Sequence, residues 1–180
     1  MRIKKESSVG VVIDFQERIV PAMYNNEQLI ENARKLISGL QILSVPLIVT
    51  QQYTKGLGET IQPISEAINN FNPIEKKVFS CYDEPLFAEA LKQTDAKNVI
   101  ICGIESHVCV LQTAVDLKEA GFNPIIVLDC VSSRTEQSIK VALKRCHFEG
   151  IMVTNFESIL FELTASAGAP EFKSISNLVK

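Results

Sequence analysis

The stretch that decides the fold runs from Asn98 to Ala114 and reads Asn-Val-Ile-Ile-Cys-Gly-Ile-Glu-Ser-His-Val-Cys-Val-Leu-Gln-Thr-Ala. Its first six residues, Asn98–Gly103, are apolar for most of their length, which is typical of a strand covered on both faces. After a short turn, Ser106 is a candidate N-cap for a helix. A buried strand, a tight turn and a helix in this order predict one unit of a parallel α/β sheet.

The same alternation extends over the rest of the chain. Five more short apolar runs predict strands: Val9–Phe15, Pro46–Thr50, Ile74–Phe79, Ile125–Asp129 and Ile151–Val153. Between them, apolar residues recur at helical spacing, as from Leu29 to Leu43. Ser133-Arg-Thr-Glu136 and Thr154-Asn-Phe-Glu157 match the capping-box pattern of helix starts. The alternation predicts an α/β fold in which helices cover both faces of a parallel sheet.

Composition restricts the class of protein. The chain has 180 residues, 18 Lys+Arg against 21 Asp+Glu, a formal charge of −3 and 46% hydrophobic residues. This length predicts a single domain over residues 1–180. The excess of acidic residues predicts no basic surface that would bind nucleic acid. No apolar run approaches the roughly 20 residues that a membrane span needs. Five cysteines without a C-x-x-C motif, and no visible signal peptide, favour a cytoplasmic protein.

Polar residues at the ends of the predicted strands are candidates for a site, because ligands of open parallel sheets bind beyond the carboxyl ends of the strands. Asp14 ends the first apolar run, and either Lys76 or Lys77 lies near the third. Cys109 follows the fourth and falls in the first turn of the predicted helix. There, unpaired N–H groups and the helix dipole favour a thiolate and are able to hold an oxyanion.

A cysteine nucleophile needs a base, and Asp14 is the candidate. A neighbouring ammonium stabilises both carboxylate and thiolate. His107 is a weaker candidate, since it lies two residues from Cys109 and points to a different side of the helix. His147 is explained by a charge interaction at a helix C-terminus.

Four segments, in the order in which they occur along the chain, resemble those of the isochorismatase-like cysteine hydrolases, a family that includes nicotinamidases and carbamoylsarcosine amidases. They are Val11-Val-Ile-Asp14-Phe-Gln, Gln51-Gln-Tyr-Thr-Lys-Gly-Leu-Gly58, Lys76-Lys-Val-Phe-Ser80 and Cys102-Gly-Ile-Glu-Ser-His-Val-Cys109-Val-Leu-Gln-Thr-Ala114. The resemblance continues through Leu128–Arg134 into the C-terminal tail. It is strongest to the small isochorismatase-domain-containing subgroup.

The resemblance implies a three-layer α/β/α fold with a six-stranded parallel sheet of Rossmann-like topology. It also implies a triad in which Asp14 is the base, Cys109 the nucleophile and Lys76 the cation, because Lys76 has the family's spacing to the aromatic Phe79. A cis peptide bond between Ile104 and Glu105 is implied as well, with the N–H groups of Glu105 and Cys109 forming an oxyanion hole. The family further suggests a homo-oligomer, a dimer or larger, in which a neighbour helps to close the pocket.

One departure from the family concerns metal and substrate. Nicotinamidases carry an Asp-x-His metal motif after the second strand, whereas this chain has Thr50-Gln-Gln-Tyr53. We therefore expect no metal and no cofactor, and nicotinamide is a doubtful substrate. The retained Cys109 favours hydrolysis of an amide over the vinyl ether cleavage of true isochorismatases, which needs no thiol.

The leading hypothesis is a hydrolase that cleaves a small amide or related C–N bond through a thioester. Its small-molecule substrate is unidentified, and four residues are predicted for the pocket wall: Gln16, Gln51, Tyr53 and Phe79. The alternatives are isochorismatase-type vinyl ether hydrolysis and a binding or scaffold protein that retains the fold without efficient turnover. A third alternative, a redox-sensing Cys109, lacks a resolving cysteine nearby in the sequence.

Overall fold

A computed structural model describes residues 2–180 and contains a six-stranded sheet in which all paired strands are parallel. The strands are β1 Ser8–Ile13, β2 Leu47–Gln52, β3 Ile74–Lys76, β4 Asn98–Ile104, β5 Asn123–Ser132 and β6 Met152–Thr154. Their order across the sheet is β3-β2-β1-β4-β5-β6. The predicted fold class is confirmed.

Helices cover both faces of this sheet. They are α1 Asn26–Ile42, α2 Thr54–Leu57, α3 Gln62–Ser65, α4 Pro85–Gln93, α5 Leu111–Glu119, α6 Glu136–Phe148, α7 Phe156–Thr164 and α8 Phe172–Leu178. Helices α1, α3, α7 and α8 contribute to the hydrophobic core on one face, and α4, α5 and α6 to the core on the other. Within residues 2–180, none of these helices has the length and apolar character that crossing a membrane requires.

The strand order positions the site. The chain runs outward from β1 to β3 on one side, then crosses to β4 and runs outward on the other side. Sheets of this order have a crevice at the carboxyl ends of the two strands where the direction reverses, here β1 and β4. Gly103 lies at this crossing with φ of +136°, and a Cβ there would be 2.3 Å from the Ile13 carbonyl oxygen. Only glycine allows the two strands to approach so closely.

Several helix and strand ends differ from the sequence prediction for local reasons. The third strand ends at Lys76 instead of Phe79, because Lys76 Nζ bonds back to the carbonyls of Val78 and Phe79 and the chain curls around it. Helix α6 is capped by Thr135, whose hydroxyl accepts from Ser138 N. The predicted cap, Ser133, is fully buried and its hydroxyl bonds to His107 instead.

The start of α7 is also shifted by one residue. Asn155 caps it by accepting a hydrogen bond from Ser158 N, although the capping-box pattern points to Thr154. An asparagine carbonyl performs the same role as a threonine hydroxyl. The pattern therefore locates the helix but not its first residue.

Candidate active site

Asp14 lies immediately after β1, at the crevice between β1 and β4. Its backbone has φ of 55°, and its N–H donates to the Thr50 carbonyl at 3.2 Å. The Thr50 hydroxyl on β2 donates to Asp14 Oδ1 at 2.7 Å. The carboxylate is almost completely buried, so this hydroxyl and the nearby ammonium are the groups that stabilise its charge.

Lys76 reaches Asp14 from a strand two positions away. Strand β2 separates β3 from β1, so their backbones lie about 10 Å apart at the usual strand spacing. The long side chain crosses this gap and places Nζ 2.6 Å from Asp14 Oδ2. Nζ also donates to Gln52 Oε1 at 2.6 Å and to the carbonyls of Val78 and Phe79 at 3.3 Å.

The neighbouring Lys77 is exposed, whereas Lys76 has 1% of its surface accessible. Strand position alone allowed either lysine, and the resemblance indicated Lys76; in the structure Lys76 is the lysine that pairs with Asp14. A buried lysine is rare unless it is paired, and this one is paired and fully hydrogen-bonded.

Cys109 follows β4 through an irregular turn. The peptide bond between Ile104 and Glu105 is cis, and residues Ser106–Val110 form a π-helical turn that leads into α5. The Glu105 carbonyl accepts from Val108 N and Val110 N. Cys109 is the fourth residue of this turn, and it is buried, with 7% of its surface exposed.

This turn differs from the expected regular helix capped by Ser106. The residue before the turn is Glu105, and the buried Ser106 hydroxyl has no hydrogen-bond partner. The expected thiolate is also wrong for the free protein. Burial, followed by the negative charge of Asp14, raises the pKa of Cys109 to about 12, and the nearby Lys76 only partly opposes this. A helix N-terminus is worth about 0.3–1 kcal/mol, up to about 2, which is less than the cost of a buried thiolate beside a carboxylate.

The ionisation of Asp14 and Lys76 is set by the same burial. Burial raises the pKa of Asp14 from its ordinary value, against the lowering effect of Lys76 and the hydrogen bonds of Thr50 and Cys109. Burial lowers the pKa of Lys76, but the charge of Asp14 and its hydrogen bond to Lys76 oppose this, and the net result is a raised pKa. The 2.6 Å contact between Lys76 Nζ and Asp14 Oδ2 is that of an ammonium with a carboxylate, and the raised pKa of Cys109 keeps its thiol neutral.

Cys81 is a residue of this cluster that sequence reasoning missed. Its sulfur lies 3.8 Å from the Thr50 hydroxyl, and its backbone N–H donates to Thr113 Oγ1 at 2.9 Å. Burial, then the charge of Asp14, raises the pKa of Cys81 to about 12. A second thiol thus lies beside the site, although 28 residues separate the two cysteines in the chain. No motif in the sequence marks Cys81.

Two side-chain contacts tie the turn around Cys109 to the loop after β5. Arg134 Nε donates to Glu105 Oε1 at 2.9 Å, and His107 Nδ1 lies 2.8 Å from Ser133 Oγ. His107 therefore bonds to Ser133 and not to Asp14, Lys76 or Cys109, in agreement with the expected direction of its side chain. These contacts hold the turn between β4 and α5 in place.

The four residues predicted for the pocket wall have different surroundings. Gln16 is fully buried and donates its amide N–H to the carbonyls of Gln52 and Gly58, at 3.0 and 2.6 Å. Gln51 donates to Glu59 Oε2 at 2.7 Å and alternates on β2 with Thr50 and Gln52, which contact Asp14 and Lys76. The amides of Gln16 and Gln51 therefore hold the surrounding loops.

Tyr53 and Phe79 are exposed and lie next to the site. The Tyr53 N–H donates to the Lys76 carbonyl, and the Phe79 carbonyl accepts from Lys76 Nζ. Phe79 has 55% of its surface exposed. Substrate contact by any of these four residues stays a prediction.

Within residues 2–180, no group of three or more His, Cys, Asp or Glu side chains is arranged to hold a metal ion. Gln52, the last residue of β2, and Tyr53 occupy the region where the metal motif of nicotinamidases would lie. The Gln52 amide oxygen is occupied by Lys76. The expectation of a site without metal stays a prediction.

Comparison with known proteins shows the family. The isochorismatase domain model matches residues 8–158. The chain is 37% identical to "Secreted isochorismatase effector Isc1" of Phytophthora sojae over 99% of its own length and 87% of that protein. It is 34% identical to "Isochorismatase domain-containing protein 2" of Danio rerio, over 99% of this chain and 89% of the relative.

Solved structures agree with this. A Caenorhabditis elegans structure titled MAR1 ribonuclease superposes with a TM-score of 0.93 at 38% identity, over 99% of this chain and 92% of that one. The Escherichia coli YcaC product, titled an octameric hydrolase of unknown specificity, has the same fold with a TM-score of 0.93 at 20% identity, over 99% and 89%. The chain therefore belongs to the isochorismatase-like cysteine hydrolase family, in the subgroup of isochorismatase domain-containing proteins.

Proposed function

We propose that this protein hydrolyses a small amide or related C–N bond through a thioester on Cys109. The observation that carries the proposal is the buried cluster in which Lys76 Nζ lies 2.6 Å from Asp14 Oδ2 and the Cys109 thiol interacts with the same carboxylate. Buried ionisable groups at a crevice, with strongly shifted pKa values, are characteristic of catalytic sites.

Acylation begins with a neutral thiol. Because the pKa of Cys109 is about 12, the proton has to pass to Asp14 as the sulfur attacks, rather than before. We assign Asp14 as the group that accepts it, because the thiol interacts with this carboxylate. The Sγ–C bond forms, the carbonyl π pair moves to oxygen, and the N–H groups of Glu105 and Cys109 hold the oxyanion.

Collapse of this intermediate breaks the C–N bond. Protonated Asp14 donates its proton to the departing nitrogen, which leaves as ammonia or an amine, and Cys109 carries the acyl group as a thioester. Water then attacks the thioester while Asp14 accepts its proton, and the acid product leaves as Cys109 recovers a proton. Lys76 holds the carboxylate in place and opposes the rise in negative charge.

The burial of Cys109 suits a small substrate, because only 7% of the residue is exposed. Two exposed aromatic residues, Tyr53 and Phe79, contact Lys76 through their backbones and so lie near the site. RNA is a poor fit, although the Caenorhabditis elegans neighbour is titled a ribonuclease, because a chain of charge −3 offers little attraction to phosphates. We propose a small neutral amide as the substrate class.

The experiment is to incubate the protein with a panel of small aliphatic and aromatic amides, measuring ammonia release and the intact mass of the protein. We expect turnover and an acyl adduct on Cys109, and Cys109→Ala should abolish both. Cys146→Ala is the matched control, because Cys146 is a buried cysteine on α6 whose pKa is shifted by burial and by the charges of Arg145 and Glu149 instead of those of Asp14 and Lys76. Full turnover by Cys109→Ala contradicts the covalent mechanism.

The alternatives predict other outcomes in the same assays. Vinyl ether hydrolysis predicts that isochorismate is cleaved and that Cys109→Ala retains the activity. A binding or scaffold protein predicts ligand binding without adduct or ammonia. Release of nucleotides from RNA by the wild type, lost in Cys109→Ala, would replace the small-amide proposal with a nuclease.

We also propose that the protein is a cytoplasmic homo-oligomer. All five cysteines are free, which fits a reducing compartment, although the Phytophthora sojae relative is named as secreted. Exposed apolar side chains at Val78 and Phe79 lie beside the site, where a second copy would cover them. The Escherichia coli YcaC product, which has the same fold, is described as an octamer, and this supports the proposal of an oligomer. Light scattering after size-exclusion chromatography tests this, and a monomer at micromolar concentration contradicts it.

A further inference from the structure

We infer that Gln52 is a positioning residue for the proposed reaction. Its amide oxygen fixes the Lys76 ammonium beside Asp14. Because the amide carries no charge, it does not compete with the Asp14 carboxylate and the Cys109 thiol for the positive charge of Lys76. The inference extends the proposed function and assigns a role to a residue that the sequence did not single out.

The contacts of Gln52 show how the ammonium is held. Gln52 Oε1 accepts from Lys76 Nζ at 2.6 Å, a contact as short as that between Nζ and Asp14 Oδ2. Gln52 Nε2 donates to the Lys77 carbonyl at 3.0 Å. Since the nitrogen of the amide is anchored in this way, its oxygen faces Nζ.

The backbone of Gln52 is fixed from the other side. Gln52 N donates to Gln16 Oε1 at 2.7 Å, and Gln16 Nε2 returns a hydrogen bond to the Gln52 carbonyl at 3.0 Å. Strand pairing places Gln52 opposite Lys76 in the register of β2 and β3. The fully buried Gln16 thus acts as a clamp that sets where the Gln52 side chain begins.

The chemistry of an amide at this position differs from that of a carboxylate. The titratable groups around Lys76 Nζ are Asp14, Cys81 and Cys109, and the raised pKa values of the two thiols leave Asp14 as the anion that pairs with the ammonium at 2.6 Å. A second anion bonded to Nζ would lie within the roughly 4–6 Å over which a like charge shifts a pKa. It would divide the ammonium between two carboxylates, raising the proton affinity of both Asp14 and Cys109.

Thr50 completes the arrangement from the same strand. Thr50 and Gln52 are two residues apart and so face the same side of β2. Thr50 holds Asp14 Oδ1 at 2.7 Å while Gln52 holds Lys76 Nζ. One face of β2 therefore positions both members of the ion pair, and the two residues that do so, Thr50 and Gln52, are uncharged.

The test measures Asp14 directly, by following its ¹³Cγ NMR signal with pH, with Asp14→Asn used for assignment. We expect Gln52→Glu to raise the pKa of Asp14 by about one pH unit and to slow alkylation of Cys109 by acrylamide about tenfold at pH 8. Gln52→Met, which removes the acceptor without adding charge, should raise the pKa of Asp14 by a smaller amount, because the ammonium is no longer held.

Gln62→Glu is the matched control, since it adds the same charge on the short helix α3, where Gln62 contacts Glu66 and none of the triad. It should leave the titration of Asp14 unchanged. A purely structural role of Gln52 predicts lower melting temperatures for both Gln52 variants with an unmoved Asp14 titration, and that result overturns the inference. If Gln52→Glu does not fold, the pKa of Asp14 in Gln52→Met is the test: a raised pKa supports the inference and an unchanged pKa overturns it.

This outcome is independent of the proposed function. Titration of Asp14 and alkylation of Cys109 require no turnover, so an absence of acyl adduct would overturn the amidase proposal and leave the role of Gln52 to be judged on its own readout.

Discussion

Replacing Lys76 by methionine removes the cation from a buried ion pair and should strongly destabilise the protein at neutral pH. The variant leaves the Asp14 carboxylate buried, with two neutral groups, the Thr50 hydroxyl and the Cys109 thiol, as its remaining side-chain donors. Removing one partner of a buried pair costs about 3–5 kcal/mol. That is a large share of the roughly 5–15 kcal/mol by which a domain is stable.

The loss should depend on pH in a defined direction. Without Lys76, the pKa of Asp14 in the folded state rises further above its unfolded value of about 3.9, because burial already raises it. Between these two values the folded protein binds the extra proton, so stability increases as pH falls, by about 1.4 kcal/mol per pH unit. The variant should therefore recover much of its stability at pH 5 relative to pH 8.

The assay is urea unfolding at pH 5 and pH 8, with Lys77→Met as the matched control. Lys77 is the adjacent lysine and is exposed, so its replacement should change the free energy of unfolding by less than about 0.5 kcal/mol at either pH. The double variant Asp14→Asn/Lys76→Met should lose the pH dependence. Equal destabilisation by Lys76→Met and Lys77→Met would refute the buried ion pair.

Two further predictions follow from the geometry of the crevice. Alkylation of Cys109 by iodoacetamide in the free protein should increase about tenfold per pH unit without a plateau up to pH 10, because the pKa of the thiol is about 12. Asp14→Asn should accelerate this alkylation, because the negative charge of Asp14 raises the pKa of the thiol. A plateau near pH 8 in the wild type would contradict a raised pKa of Cys109. Gly103→Ala should cost about 3 kcal/mol in urea unfolding, because the new Cβ would meet the Ile13 carbonyl oxygen at 2.3 Å. Gly121→Ala, with φ of +87° and no atom within 4 Å, should cost only about 1 kcal/mol, and equal losses would show that the close approach of β1 and β4 is unimportant.

The sequence by itself determined the fold class, the family and the strand-end position of the candidate residues. Apolar runs such as Val9–Ile13 and Asn98–Gly103 alternate with amphipathic segments, and burial on both faces leaves few other folds for that pattern. The carboxyl ends of parallel strands lie at the same edge of a sheet. The sequence alone therefore predicts that Asp14, Lys76 and Cys109 lie near each other. The choice of Lys76 over Lys77 came from the spacing shared with the family.

The ionisation state and the supporting contacts were decided only by the tertiary structure. The sequence placed Cys109 at a helix start and predicted a thiolate, but the depth of burial and the nearby anion, which no local pattern reports, raise its pKa. Cys81 and Gln52 come to the cluster through packing and strand pairing between residues far apart in the chain. Spacing along a chain indicates which residue types meet at a sheet edge, whereas charge and proton position depend on the distances and desolvation that folding creates.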